Sequence, residues 1–205
     1  MEKYINYEMC KKCGGVCCKQ NGCVYAPSDF ESMKYSYLKN IIDQGKISIS
    51  GQPVPFLDSA WTFIPYLRAR NLGAPIVDLF SKGGPCINLT DVGCTLSENT
   101  RPAFGLLVEP TQIGGPCEKR ENNLAEDWLY YSDVLSQLIK YYTHNELIDE
   151  LIKEIEIVMD IIRPKLNTKE QLSTMEEQNA FWYYNILANK PYYSPEEVAE
   201  YRLML

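Results

Sequence analysis

The stretch Cys10-Lys11-Lys12-Cys13-Gly14-Gly15-Val16-Cys17-Cys18 decides how this chain is read, with Cys23 five residues further on. Two residues between Cys10 and Cys13 let one turn of backbone aim both sulfurs at a single ion or cluster. Gly14 and Gly15 permit a sharp turn that brings amide N–H groups close to anionic sulfur, which offsets its charge. Cys17 and Cys18 are adjacent, so their side chains leave the backbone in different directions. That pair fits a cluster edge, two neighbouring metals, or one ligand beside one reactive thiol better than two equivalent ligands of one zinc. Residues 1–26 hold five of the eight cysteines and show little helical or strand periodicity, so they read as a compact loop shaped around a metal.

A second block lies downstream. Cys86 and Cys94 are separated by seven residues, too many for a metal knuckle but suited to a small hairpin turning at Val92-Gly93. Cys117 follows. Gly83-Gly84-Pro85-Cys86 recurs as Gly114-Gly115-Pro116-Cys117, two identical scaffolds that each present one thiol. The N-terminus has no apolar leader, and no stretch approaches the ~20 apolar residues of a membrane span, so a cytoplasmic location is expected. Clustered cysteines in a reducing compartment are metal ligands or redox groups more often than structural disulfides.

The order C-x2-C-x3-C-C, then Pro-Cys, a second Cys eight residues on, and Arg-Pro resembles the YkgJ-type cysteine-cluster proteins. That family is described as zinc- or iron-chelating and includes the flagellin lysine-N-methylases. The match falls on Cys10, Cys13, Cys17, Cys18, Pro85-Cys86, Cys94 and Arg101-Pro102, and covers roughly residues 10 to 117. The family usually has a cysteine three residues after the Arg-Pro proline, where this chain has Gly105; Cys117 is the expected substitute. Cys23 is outside the pattern and ranks below the other cysteines. The resemblance implies a metal centre and transfers no activity.

The candidate metal ligands are therefore Cys10, Cys13, Cys17, Cys18, Cys86, Cys94 and Cys117. Arg101 is the candidate cofactor-binding residue, either balancing thiolate charge or holding a carboxylate. An iron–sulfur cluster of the 4Fe-4S kind is the expected cofactor and zinc the alternative, because thiolate-rich sites without histidine suit both. His144 is the only histidine, which excludes a zinc site built on imidazoles. The expected role is structural or electron-transferring. The rival readings are a cluster-dependent enzyme that modifies a protein side chain or small molecule, and a zinc-stabilised interaction module.

Charge divides the chain. Residues 1–120 hold 13 Lys+Arg against 11 Asp+Glu, and residues 121–205 hold 7 against 16, which together give the net −7. Two units are expected: 1–120 for the metal site, and 121–205 as an acidic helical unit that caps it or binds a protein partner. With that charge, neither nucleic acid nor a membrane is expected as partner. The hydrophobic fraction of 45% excludes wholesale disorder.

The expected fold is mainly α: an irregular Cys/Gly/Pro-rich N-terminal unit with minor β, followed by a helical C-terminal unit. A capping box at Ser28 and Glu31 predicts a helix buried through Phe30, Met33, Tyr37, Leu38, Ile41 and Ile42 and stopped at Gly45. Short strands are predicted at Lys46–Ser50, at Trp61–Leu67 with Pro65 as an interruption, and at Leu106–Glu109. Leu124 to Tyr142 and Leu147 to Ile162 carry helical apolar spacing, the second run ending at Pro164. Thr168 and Gln171 predict a cap before a helix through Leu187, and Ser194-Pro195-Glu196-Glu197 opens a last helix.

Overall fold

The computed structural model describes residues 12–91, 93–110, 113, 117–119, 124–143, 147–187 and 191–204. Its centre is a long antiparallel hairpin, β1 (Ile47–Leu57) and β2 (Ala60–Ala69), in register from Ile47 opposite Ala69 to Pro55 opposite Trp61. Helices surround a three-stranded sheet built on this hairpin, so the fold is mixed α and β rather than mainly α.

The hairpin exceeds its predicted length because its prolines fall where they do no harm. Trp61 N–H bonds the Pro191 carbonyl, Ala69 N–H bonds the Cys23 carbonyl, and the Leu67 carbonyl accepts from Tyr25 N–H. These odd-numbered backbone groups of β2 all point away from β1. In β1, Ile49 bonds Ile76 and Asp78, likewise away from β2. Backbone direction alternates with period two. Pro53, Pro55 and Pro65 therefore lack an N–H only on the outward edges, and the β1–β2 ladder loses no donor.

Other elements pack round this hairpin. Short α1 (Val16–Gln20) precedes a 3-10 turn at Pro27–Asp29 and α2 (Tyr35–Asp43), which buries Leu38 and Ile42. The Ser28–Glu31 box starts no helix: Asp29 Oδ2 accepts from Ala26 N–H (2.8 Å) to close the 3-10 turn, and α2 begins after Lys34. Gly45 stops α2 as predicted, with φ 76°. Two small hairpins follow, β3 (Leu89–Thr90) with β4 (Gly93–Cys94), and β5 (Val108–Pro110) with β6 (Cys117–Lys119).

Helices α3 (Leu124–Leu129) and α4 (Ser132–Thr143) lie on β2, and α5 (Leu147–Asn167) packs on α6 (Met175–Leu187). A two-residue β7 (Tyr192–Tyr193) pairs in parallel with β2, and α7 (Pro195–Met204) closes the described chain. The expected seam at Arg120–Asn123 lies outside the described residues. One hydrophobic cluster contains Leu38, Ile49, Phe63 and Leu67 from before it and Trp128, Leu138, Ile162 and Tyr183 from after it. The Tyr183 hydroxyl reaches the Gly51 and Leu79 carbonyls (3.0 and 3.1 Å), and its ring stacks on Phe63. Among the described residues no helix is long and apolar enough to cross a membrane.

Two helix limits differ from the predictions. Pro164 lies inside α5, whose last turn runs on to Asn167. Thr168 closes that helix instead of opening the next: its Oγ1 bonds the Pro164 and Lys165 carbonyls (3.2 and 3.1 Å). The cap of α6 is Thr174 with Glu177, whose Oε2 accepts from Ser173 N–H (2.8 Å) and Thr174 N–H (3.3 Å). Ser194 and Glu197 form the reciprocal box predicted for the last helix.

The Glu177 cap is measurable. Lys165 foremost, then the Ser173 N–H, hold its carboxyl at about 2 against an ordinary 4.5. This link therefore contributes fully above pH 4.5 and is lost as pH falls toward about 2. Glu177→Gln is expected to lower stability in urea at neutral pH and to flatten the decline across that acid window. Parallel pH profiles of the two proteins would contradict this.

Candidate metal centre

Four segments meet at the lower end of the hairpin, where β2 ends. In the first, Gly14 and Gly15 (φ 66° and 70°) turn the chain into α1, which carries Cys17 and Cys18. A Cβ on Gly15 would come 2.7 Å from Leu89 Cδ1, so this glycine serves both the left-handed backbone and the close approach of β3. Beyond α1 the chain runs antiparallel to β2, with the Cys23 carbonyl accepting from Ala69 N–H (2.8 Å) and Tyr25 N–H donating to Leu67 (2.9 Å).

The third segment is fastened to α1 and to the chain just after β2. Gly83 and Gly84 (φ 76° and 121°) form a turn from which Gly84 N–H bonds the Gln20 carbonyl and Cys86 N–H bonds the Cys18 carbonyl, each at 2.7 Å. Ile87 N–H bonds the Arg70 carbonyl (2.9 Å), and the β3–β4 hairpin then sets Cys94 opposite Leu89. Of the predicted Val92-Gly93 turn, Val92 lies outside the described residues, and Gly93, with φ 110°, stands in β4 opposite Thr90. The fourth segment, Pro102–Gly105, is tied to the second. Asp29 Oδ2 accepts from Ala103 N–H (2.8 Å), and Phe104 N–H bonds the Val24 carbonyl (3.2 Å).

Beneath these loops is a buried polar knot. Arg68, 1% exposed, pairs with Asp78 and also donates to Asn21 Oδ1. Asn71 Nδ2 donates to the same Asn21 oxygen (2.9 Å), and Asn71 Oδ1 accepts from Gly22 N–H (2.7 Å). The loop that bears the cysteines is thus pinned to β2 by charge-assisted hydrogen bonds. An aromatic wall closes one side, Tyr25–Phe30–Trp128, with Trp128 Nε1 donating to the Tyr25 carbonyl (2.7 Å).

The sulfurs feel one another. Cys17 Sγ and Cys18 Sγ are 4.0 Å apart. For Cys18 the Cys17 contact pulls the pKa down. The Cys23 thiol, burial, and the charges of Cys23 and Cys86 outweigh it and push the thiol up to about 12. Burial raises Cys86 and Cys94 adds to it, opposed by the Asn88 hydrogen bonds and the field of Arg68. Tyr25 is raised by burial and then by Cys86, Asp29, Cys23 and Cys94. Cys17, Cys18, Cys23, Cys86 and Cys94 therefore form one electrostatically coupled group drawn from three segments.

The predicted residues are placed as follows. Cys13 is buried on a helical residue just before the Gly14-Gly15 turn, and Cys17, Cys18 and Cys94 are half-buried in α1 and β4. Cys86 is buried at a bridge to Asn71. Cys10 lies outside the described residues, as do Gly114-Gly115-Pro116 of the second scaffold; Cys117 is described only as backbone of β6, paired with Pro110. Arg101 is half-buried, and its Nε donates to the Leu96 carbonyl (3.3 Å). Cys23, ranked low from sequence, and Arg68, not singled out, both belong to the group. Cys23 lies outside the recognised motif although it acts on nearby Cys18, and Arg68 reaches Asn21 across 47 residues, a contact that spacing does not signal.

Among the described residues no three Cys, His, Asp or Glu side chains are already gathered at metal-holding geometry. The donor chemistry nonetheless fits a thiolate-bound centre. Burial and neighbouring thiols raise Cys18 and Cys86, and a cationic centre supplies the opposite charge that lets such thiols ionise. No family model, curated protein or solved structure matches the chain.

Proposed function

We propose that this chain holds a thiolate-ligated iron–sulfur centre with a structural or electron-transfer role. The observation that carries the reading is the mutual coupling of Cys18, Cys86 and their neighbours at the meeting point of separate segments. Cys13, Cys17, Cys18, Cys86 and Cys94 supply sulfur there, and Cys10 and Cys117 are the further ligands that the motif suggests. Sulfur-only donors in excess of four favour a cluster over a single tetrahedral zinc. The resemblance to the YkgJ-type pattern supports the same choice.

When bound, such a centre supplies reversible one-electron chemistry and cross-links its loops. The chain's own residues prepare the site. Arg68 puts a buried positive charge near Cys86, and Gly15 and Gly84 bring backbone close. Low potential and oxygen sensitivity suit a reducing cytoplasm. The acidic C-terminal helices remain the proposed surface for a protein partner.

Protein made and purified without oxygen, with iron and sulfide supplied, is expected to carry both in matching amounts. It should also show broad visible absorption that bleaches on reduction. Cys18→Ser and Cys86→Ser are each expected to remove most of that colour. Stoichiometric zinc without iron would overturn the cluster and favour a zinc-stabilised module; absence of any metal would overturn both.

A further inference from the structure

We infer that Cys23 is a ligand of this centre and that Gly105 is glycine in order to leave room for its sulfur. The inference rests on the metal-centre reading above and adds a residue that the cysteine spacing does not point to.

Two observations meet at this position. The first is where Cys23 stands. Its backbone is locked to β2 through the Ala69 N–H bond of 2.8 Å, so its side chain departs from a fixed point. The thiol interacts with the Cys18 side chain and acts on both Cys18 and Tyr25. It therefore lies within the coupled group, on backbone tied directly to the central hairpin. A ligand held by the central hairpin needs little reordering to bind, which favours retention.

The second observation is Gly105. Its backbone is outside the left-handed region, so no conformational need explains a glycine there. Space does. A Cβ at 105 would stand 3.6 Å from Cys23 Cβ, an ordinary contact, but 3.3 Å from Cys23 Sγ, close enough that the sulfur would have to shift by a few tenths of an ångström. The 3-10 turn that carries Gly105 is held against Val24 and Asp29, so it cannot easily retreat. The fold leaves this small volume to one sulfur, delivered from position 23. A thiol delivered from position 105 would enter the same volume if Cys23 were shortened.

That exchange is the test. Wild type, Cys23→Ser, Cys23→Ala and the double variant Cys23→Ala with Gly105→Cys are loaded anaerobically with iron and sulfide. Retention of iron is then followed against a chelator. Both single variants should retain iron at least as poorly as the roughly tenfold loss that a changed outer-shell partner causes. The double variant should recover much of it. Alkylation of wild type, mapped by mass spectrometry, needs no variant and is unaffected by misfolding. Cys23 should be protected in the loaded protein and modified once metal is stripped. If wild type holds no metal, the metal-centre reading fails. If wild type holds metal while Cys23 alkylates equally fast loaded or stripped, and Cys23→Ser retains iron like wild type, the ligand assignment alone is overturned.

Discussion

Arg68→Met is expected to destabilise the fold by about 3–5 kcal/mol at neutral pH, because it leaves a buried carboxylate without its counter-ion. Arg68 and Asp78 are both buried, at 1% and 7% exposure, and pair directly. Methionine nearly matches the volume, so the loss comes from charge and hydrogen bonding rather than from a cavity. Asn21 loses a donor in the same step, and with it part of the knot that pins the cysteine loop to β2. Burial already raises the Asp78 pKa, with Arg68 opposing it. Removing Arg68 raises it further. A raised carboxyl pKa disfavours the folded state as pH climbs through it, so the deficit of Arg68→Met is expected to be greatest near neutrality and smallest below 3.8, the ordinary value.

The pair also admits a cleaner comparison. Arg68→Met with Asp78→Leu removes both charges, and replacing a buried ion pair by apolar groups is often close to neutral. The double variant should therefore be more stable than Arg68→Met alone, a coupling that a double-mutant cycle in urea measures. Equal stability of the two would mean that the contact carries no charge interaction. A single variant as stable as wild type would remove the knot as the anchor of the loop.

Much of the local structure is legible in the sequence because its causes are local. Gly45 ends a helix by adopting φ 76°, and Ser194 and Glu197 satisfy each other's N–H groups. The central hairpin is legible only in part. Gly51, Pro53, Pro55 and Pro65 read as breakers when counted, yet all four are odd-numbered, and their backbone faces outward from the ladder. That parity, which made the fold mixed rather than mainly α, is set by which edge is paired, and so it depends on the tertiary structure. Cap signals mislead where competing local bonds win, as at Ser28 and Thr168. For the candidate site, cysteine spacing names the thiols of short segments, but Cys23, Arg68 and Asp78 join them through contacts that no spacing encodes. The charge boundary near Arg120 is likewise silent about the core, because the buried faces of α3 to α6 carry almost none of the charge that defines it.

Gly22→Ala is expected to be the most damaging single methyl group that can be added to the cysteine loop. A Cβ at Gly22 would fall 1.8 Å from the Ala69 carbonyl oxygen and 2.7 Å from its carbon. Both are backbone atoms, so no side-chain rotation relieves the overlap. Restoring van der Waals separation requires the loop and β2 to part by roughly 1.5 Å. That movement breaks the Ala69 N–H bond to Cys23 (2.8 Å) and the Gly22 N–H bond to Asn71 (2.7 Å). Buried donors left unpaired cost about 1–3 kcal/mol each, which for two sets an expected loss of about 2–6 kcal/mol. At roughly 2–4 °C per kcal/mol for a chain of this size, the melting temperature should fall by at least about 4 °C. Gly73→Ala is the matched control. Gly73 has φ 80° with nothing within 4 Å of its Cβ position, so alanine there meets only the left-handed backbone penalty of about 1–2 kcal/mol. Gly22, by contrast, has no left-handed φ, and its cost is entirely steric. Gly22→Ala should thus exceed Gly73→Ala in lost stability and also lose metal, which Gly73→Ala retains. If Gly22→Ala melts no lower than its control, then loop and strand are not in contact, and the surface that assembles the thiols is not the one described.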